Sequence, residues 1–400
     1  MLSNSLVTDR RTFLAGCATF LAGCGATTDD EPADSPTQTT VADLDCQRDP
    51  PWPSVRHDAA NTGYAADVTG PATAPEPTPH PTIASPAGWV VGEHGIFGTS
   101  QPRISSFSPS GEVERWFHKR RGGSRRGNTL TLGCSDLFVQ SNDGLLRIDP
   151  DNGSKPWQKQ TFDAAALRTD PVTDGNALVV GVDEDVAVLD TGNGETRWRT
   201  SVGDGASPEG LALDDDRVYV SVRRRNGPHT TLALSRDDGE QVWEQSGLTS
   251  WDAPAVDGDR VVCTDEDGTL LVLDATSGEV TQRLSVVDGT PLGPPSVRDG
   301  TAFVTTAGLR GVVAVDLADA TVVWEQPSTN ATAAPAIGSD RIYVGGEGLW
   351  AFSPDDGTVV WSHSETKIES PLSLGHGRLY ATGQVTAERN GLLVFAEESA

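Results

Sequence analysis

Lysine is almost absent from this sequence, in which only four of the 30 basic residues are lysine. Because 57 residues are acidic, the formal charge is 30 minus 57, or −27, and it is spread along the whole chain. This balance excludes a nucleic-acid-binding protein, since phosphates require a basic surface. At roughly 1 M salt the Debye length falls to about 3 Å, so the carboxylates would hardly repel one another. The composition therefore predicts a halophilic source, with an acidic secreted protein of ordinary salinity as the alternative.

Paired cysteines are also missing. The five cysteines include no Cys-x-x-Cys motif and no adjacent pair, so no disulfide framework is predicted. Cys17 and Cys24 fall in the N-terminal segment, which leaves Cys46, Cys134 and Cys263 as an odd set. Cys263 stands where a matching strand has valine, so we expect a buried hydrophobic side chain rather than a reactive thiol.

No apolar run is long enough to span a bilayer, but a short one follows the twin arginine Arg10-Arg11. This arrangement resembles a Tat export signal. The sequence Leu-Ala-Gly-Cys ending at Cys24 resembles a lipobox, which would make Cys24 the lipidated first residue of the mature chain. Cys17 also fits, but cleavage there would leave almost no apolar region after the arginines. An ordinary cleaved signal with a chance cysteine is the alternative.

These features divide the chain into three parts. Residues 1–23 are the predicted Tat signal peptide with its lipobox. Residues 24–50 are rich in Thr, Asp, Pro, Ala and Ser and have almost nothing to bury, which predicts a flexible acidic tether. Residues 51–400 contain the repeats described next.

A tight turn followed by a short strand that ends in tryptophan recurs along the chain. The anchors, with Gln282 in a degenerate copy, are Trp116, Trp157, Trp198, Trp243, Gln282, Trp324 and Trp361. The steps between them are 41, 41, 45, 39, 42 and 37 residues, which indicates a repeat architecture. Regular spacing favours a structural role, in which each ring fills the gap between neighbouring repeats. We expect Gln282 to mark the loosest joint.

Each repeat contains three further strands, such as Ala334–Ile337, Arg341–Val344 and Val312–Asp316. Short strands and tight turns without helical periodicity predict an all-β protein with four strands per repeat, the pattern of β-propeller blades. The chain ends after three strands without a fourth. We therefore expect Pro71–Pro81 to supply the missing outer strand and to close a ring of eight blades. Seven blades is the alternative.

These motifs, over roughly residues 84–400, resemble the PQQ-like repeat propellers of the quinoprotein-dehydrogenase-like superfamily. The stretch Trp52 to Gly63 also looks like openings seen in that family. Among its members, the chain is similar to the lipid-anchored, non-catalytic BamB group. The resemblance implies two roles: a binding scaffold, or a dehydrogenase that uses pyrroloquinoline quinone and Ca²⁺. Redox members carry vicinal cysteines beside the quinone, and this chain has none.

Candidate binding residues are those that break the repeat pattern in loops before the inner strands. We expect them at the mouth of the central funnel: Arg168, Asp170, Glu209, Trp251, Asp252, Lys367 and Glu369. The basic runs His118–Arg126 and Arg223–Arg225 could meet an acidic partner or lipid headgroups, or could be solvated loops. The fragments Asp149-x-Asp151 and Asp265-x-Asp267 lack the further carboxylates of a calcium loop, so we expect β-turns and no metal site.

No local catalytic motif is present, so we predict no catalytic residue and no cofactor. The sequence favours a monomeric, Tat-exported lipoprotein on the outer face of the cell membrane. Its propeller would bind an extracytoplasmic protein or small ligand, and the lipid anchor would be its only membrane contact. The alternatives are a quinone-dependent dehydrogenase or other enzyme using the funnel, and a cell-surface spacer.

Overall fold

The computed structural model describes residues 50–80, 88–100, 103–119, 130–133, 135–141, 144–159, 167–248, 252–306, 311–327, 331, 333–386 and 389–397. All regular structure in these ranges is β-strand. No helix within them has the length and hydropathy needed to cross a membrane. The predicted signal peptide with Arg10 and Arg11, the predicted lipidation site Cys24, and Trp251 lie outside the described residues.

The strands form eight four-stranded antiparallel sheets, the blades. The first strand, β1 (Pro77–His80), belongs to blade 8. From inner to outer strand, blade 1 contains β2 (Trp89–Val91), β3 (Ile96–Ser100), β4 (Arg103–Phe107) and β5 (Glu114–Lys119), and blade 2 contains β6 (Leu130–Leu132), β7 (Leu137–Ser141), β8 (Gly144–Ile148) and β9 (Trp157–Lys159). In the same order, blade 3 contains β10 (Val172–Thr173), β11 (Ala177–Val182), β12 (Asp185–Asp190) and β13 (Thr196–Ser201). Blade 4 contains β14 (Ala206–Leu213), β15 (Arg217–Arg224), β16 (His229–Ser235) and β17 (Gln241–Leu248).

Blades 5 to 8 follow the same order. Blade 5 contains β18 (Ala255–Asp257), β19 (Arg260–Thr264), β20 (Thr269–Asp274) and β21 (Val280–Ser285), and blade 6 contains β22 (Ser296–Arg298), β23 (Thr301–Thr306), β24 (Gly311–Asp316) and β25 (Thr321–Gln326). Blade 7 contains β26 (Ala336–Ile337), β27 (Ile342–Gly345), β28 (Leu349–Phe352) and β29 (Val359–His363). Blade 8 contains β30 (Ser373–Gly375), β31 (Arg378–Thr386) and β32 (Arg389–Ala396), with β1 as its outer strand. The prediction of an eight-bladed propeller is confirmed, and the seven-blade alternative is wrong.

An N-terminal strand closes the ring, as predicted. Strand β1 pairs antiparallel with β32, with Thr78 opposite Val394, and so becomes the outer strand of blade 8. The chain just before β1 also joins blade 7, because the indole of Trp361 and the hydroxyl of Tyr343 both donate to the carbonyl of Pro71, at 3.1 and 3.2 Å. The segment from Pro71 to His80 is thereby held against blades 7 and 8.

The repeated tryptophans lie at the joints between blades. The indole N–H of Trp116 donates to the carbonyl of Pro150 in blade 2 at 2.9 Å, and Trp243 donates to Ala275 in blade 5 at the same distance. Seven clusters of buried side chains span all the joints, and one of them unites blades 7, 8 and 1. Trp116 and Trp243 thus each connect their own blade to the next one.

Blade 4 is taller than its neighbours. Its inner strand β14 has eight residues, whereas β10 of blade 3 has two and β18 of blade 5 has three. Inner strands begin at one end of the channel, here called the upper face, and end at the lower face. Because strand direction alternates, the β15–β16 hairpin lies on the upper face, and blade 4 rises above the ring there.

Candidate functional site

Residues 52–65, here called the plug, cross the lower end of the central channel. The backbone of Trp52 exchanges hydrogen bonds with Val91 at the end of β2, at 3.1 and 2.8 Å. Further round the ring, carbonyls of the plug accept backbone N–H groups from five inner strands: Leu132, Leu213, Val256, Val297 and Ile337. The plug thus satisfies backbone groups of blades 1, 2, 4, 5, 6 and 7, which would otherwise face the channel.

Two polar side chains of the plug extend this network. Arg56 donates to the carbonyl of Ala253 at 2.6 Å and to the carbonyl of Pro295, which precede the inner strands of blades 5 and 6. Asn61 donates to the carbonyls of Leu211 and Pro254 at 2.6 and 3.0 Å. Through these hydrogen bonds the two side chains connect blades 4, 5 and 6 to the plug.

Electrostatics shape the same region. Burial lowers the pKa of Arg56 to about 10, while the charges of Asp252, Asp58 and Asp170 oppose this shift. Burial raises the pKa of Asp252, and the positive charge of Arg56 opposes that rise. Within the plug, Asp58 also accepts the backbone N–H of Thr62 at 2.8 Å. Arg56 therefore acts as the internal counter-charge of the channel.

The predicted funnel residues separate into two groups. Asp170 and Glu209 line the channel cavity next to Arg56, and Asp252 lies within electrostatic reach of it. The other described candidates lie at the upper rim and make local ion pairs: Arg168 with Asp183 at 3.7 Å and Lys367 with Glu369 at 3.1 Å.

The expected loop position of Glu209 is wrong. Glu209 lies inside β14, at a register shift between Pro208 and Gly210. Such a bulge re-aims a side chain. Its carboxylate, 4% exposed, accepts a hydrogen bond from Arg223 at 2.9 Å. The short loop that precedes the other inner strands is replaced here by the longer strand of blade 4.

The channel does not fit a quinone cofactor of the kind that the resemblance implies. Its cavity beside Arg56, Asp170 and Glu209 measures about 50 Å³. Pockets for ligands of that size usually measure roughly 300–1,000 Å³, whereas a water needs about 10–15 Å³. The described channel residues therefore leave room for a few waters, because Arg56 and the plug fill the rest.

The calcium-like fragments form turns, as expected. Asp149 accepts the backbone N–H of Asp151 at 2.8 Å, and Asp265 accepts those of Asp267 and Thr269 at 3.0 and 2.9 Å. Within the part of the chain that the structure describes, no group of three or more His, Cys, Asp or Glu residues could hold a metal ion.

Cys263 is buried, and burial raises the pKa of its thiol to about 12, as expected for a hydrophobic role.

A larger cleft of about 800 Å³ lies between blades 3 and 4 at the upper face. Its walls include Arg168 of blade 3 and the raised β15–β16 hairpin of blade 4, with Arg223, Arg224, Arg225 and His229. The sequence marked these arginines as a basic run, but their position beside Arg168 depends on the height of blade 4. Arg56 and Asn61 were missed altogether; their only sequence signal was a stretch, 52–63, outside the repeat pattern.

Comparisons with known proteins agree with this architecture. A serine/threonine-protein kinase AfsK from Streptomyces griseus is 26% identical over 184 residues, or 42% of this chain and 22% of that protein. An outer membrane protein assembly factor BamB from Kangiella koreensis is 28% identical over 199 residues, or 44% of this chain and 49% of that protein. The chain thus spans at most about half the length of these relatives.

A solved structure gives the same fold at low sequence identity. The quinohemoprotein alcohol dehydrogenase from Comamonas testosteroni superposes with a TM-score of 0.68 and 13% identity, covering 89% of this chain and 82% of that one. The profile of the family described as outer membrane protein assembly factor BamB matches residues 114–208, 182–284 and 282–396, which is more than half of the chain. With its eight blades of PQQ-like repeats, the chain therefore belongs to this BamB family of propellers.

Proposed function

We propose that this protein is an extracytoplasmic lipoprotein whose propeller binds a protein partner and has no catalytic activity of its own. Membership of the BamB family, whose name describes an assembly factor, supports a scaffold role. The twin arginine Arg10-Arg11 and the lipobox at Cys24 support Tat export and a lipid anchor at the outer face of the cell membrane.

The observation that carries the proposal is the plug. In a propeller the channel is the usual place for a small-molecule site, since it is concave and shared by all blades. Here Arg56 and Asn61 donate hydrogen bonds to backbone carbonyls of three blades, and the cavity that remains in the channel measures about 50 Å³. Chemistry in such a space would require the plug to leave, which would expose the backbone groups that it satisfies.

Surface loops remain for binding. The upper face offers the raised hairpin of blade 4 and the cleft beside it, while the lower face is crossed by the plug. Loops held by a rigid scaffold are common binding surfaces. The proposed partner is a protein, because a rigid ring of loops suits a broad interface rather than an enclosed ligand.

Site-specific photocrosslinking in cells tests this proposal. A photoreactive amino acid would replace Asn226 on the upper hairpin or, as the matched control, Asp259 on an exposed turn of the lower face. We expect one reproducible extracytoplasmic protein adduct from the upper position, and we expect it to weaken when the Cys24→Ser variant leaves the membrane. An absence of adducts from both positions would contradict the scaffold proposal.

A further inference from the structure

The cleft between blades 3 and 4 has a lining rich in hydrogen-bond donors. Arg168, Arg223, Arg224 and Arg225 meet there in a chain whose formal charge is −27. The cleft exists because the eight-residue strands β14 and β15 rise beside the two-residue strand β10. Its volume of about 800 Å³ is within the usual range for a bound ligand or peptide segment.

The acidic residues of the lining are already engaged. Asp183 pairs with Arg168 at 3.7 Å, and Asp185 pairs with Arg199, outside the cleft lining, at 2.5 Å. Glu184 accepts the backbone N–H of Gly205 at 3.0 Å. Each of these carboxylates therefore makes a contact within the walls of the cleft.

Donors remain after these pairs are counted. Each guanidinium has five N–H groups, and Arg223 uses one on Glu209. The exposed Arg225 forms no ion pair with any residue that the structure describes; its backbone N–H donates to Gly205 at 3.2 Å. The hydroxyl of Ser207, directly opposite Arg223 in the ladder, is buried and has no hydrogen-bond partner among the described residues. An occupant that supplies acceptors would satisfy the remaining donors of Arg223 and Arg225.

The spacing of these donors matches an extended chain. Arg223 lies in β15 and Arg225 one residue beyond its end, where its backbone N–H still bonds to Gly205; two residues of extended chain span about 6.6 Å. Side chains of an extended peptide repeat on one face with the same spacing. A peptide with carboxylates at alternate positions could therefore offer one to each arginine, and guanidinium binds carboxylate with two parallel hydrogen bonds.

We propose that this cleft binds an extended acidic segment of the protein partner, with carboxylates at alternate positions held by Arg223 and Arg225. This inference rests on the proposed scaffold function and names the chemistry of its partner. At about 1 M salt, repulsion between an acidic partner and this acidic chain is limited to about 3 Å. Contacts within the cleft then decide the affinity.

The test is fluorescence anisotropy with the full chain carrying Cys24→Ser, in about 2 M salt. The probe is a labelled peptide of alternating aspartate and threonine, and the control probe has asparagine in place of aspartate. Arg223→Gln with Arg225→Gln should weaken binding of the acidic probe by at least about tenfold. The matched variant Arg283→Gln, which removes an exposed arginine from outer strand β21, should leave binding unchanged.

A variant that is expected to tighten binding distinguishes a direct effect on the cleft from a loss of folding. Glu184→Gln keeps an oxygen that can accept the Gly205 N–H but removes a negative charge from the lining, so it should tighten binding of the acidic probe severalfold. Equal affinity for the acidic and the asparagine probes would overturn the proposal, as would unchanged binding in the double arginine variant. Full displacement by inorganic phosphate at the peptide's own concentration would also overturn it, since the site would then be a general anion site.

Failure of this inference differs from failure of the scaffold function. If a partner crosslinks at Asn226 as strongly in the Arg223→Gln, Arg225→Gln protein as in the wild type, the scaffold stands and the acidic-segment inference fails. If the acidic probe binds as predicted but no cellular adduct forms, recognition of acidic segments by the cleft stands and the scaffold proposal fails.

Discussion

The side-chain amide of Gln282 donates a hydrogen bond to the carbonyl of Ala318 at 3.0 Å, at the joint where blades 1–4, 6 and 7 present a tryptophan indole. Two residues later, Ala320 adopts a φ of 49°, in the turn position that elsewhere belongs to glycine. In neighbouring joints a Cβ on that glycine would lie 2.5 Å from the preceding ring, as for Gly278 and Trp243. Ala320 is therefore tolerated because Gln282 leaves the space that a ring would fill.

This pairing predicts a strongly non-additive double-mutant cycle. Gln282→Trp alone should destabilise the protein by about 1–3 kcal/mol, because the ring meets the Cβ of Ala320. Ala320→Gly alone should be nearly neutral, since relief of left-handed strain offsets the added chain entropy. The double variant should be more stable than the wild type. The free energies of unfolding in urea should give a coupling energy of about 2 kcal/mol between the two substitutions. Additive effects would contradict the account of this joint.

The channel network predicts a large loss of stability when Arg56 is removed. Arg56→Met leaves the carbonyls of Ala253 and Pro295 without their donor and Asp252 without its counter-charge. We expect the free energy of unfolding to fall by about 3–5 kcal/mol. The matched surface variant Arg283→Met should change it by less than about 0.5 kcal/mol. Similar losses in both variants would contradict the plug's structural role.

The same variant should make stability depend on pH. Burial raises the pKa of Asp252 in the folded state, so this group favours folding at low pH and loses that contribution as pH rises through its folded pKa. Without Arg56 the pKa should rise further, and the loss should extend to higher pH. The Arg56→Met defect should therefore be larger at about pH 8 than at about pH 5. Adding Asp252→Asn should remove that difference; its persistence would assign the pH effect to another group.

Closure of the ring predicts unequal effects of two deletions. Removing Pro71–Pro81 takes away β1 and the carbonyl that accepts from Trp361 and Tyr343. That deletion should cost more than about 4 kcal/mol or prevent folding, because it also leaves β32 as an open edge. Removing residues 25–45 from the predicted tether should change stability by less than about 0.5 kcal/mol. Equal melting temperatures would contradict closure by β1.

The anchor prediction concerns the two N-terminal cysteines. Cys24→Ser should release the protein from the membrane fraction into the medium, because a thioether-linked lipid can no longer form. Cys17→Ser should leave the distribution unchanged and is the matched control. Retention of the Cys24→Ser protein in washed membranes would exclude the lipid anchor at this position.

The blades could be predicted from sequence because their pairing is local. Predicted strands such as Val312–Asp316 and Arg341–Val344 coincide with β24 and β27 within about a residue, since each pairs with the next strand along the chain. The last blade was the exception, but an incomplete repeat at the C-terminus implied a strand from elsewhere. Strand β1 now fills that place.

The channel and the cleft could not be predicted in the same way. Arg56 binds the carbonyl of Pro295, 239 residues away, and a backbone carbonyl leaves no mark in the sequence. Arg223 and Arg225 were visible in the sequence as a basic run, but the cleft that they line depends on the length of β14. The bulge at Glu209 interrupts the strand pattern, so the length of β14 could not be read from the repeats. Contacts that combine distant blades through backbone groups require the closed ring to be known.

Dye reduction by the purified protein tests the non-catalytic scaffold most directly. The assay would supply pyrroloquinoline quinone and Ca²⁺ with alcohols or sugars in about 2–4 M salt, where an acidic protein of this kind should be folded. Because the plug leaves about 50 Å³ in the channel, we predict no substrate-dependent reduction above the rate without protein. Turnover that requires substrate and quinone, and that disappears in Asp170→Ala or Asp252→Ala, would contradict the account and establish an enzyme.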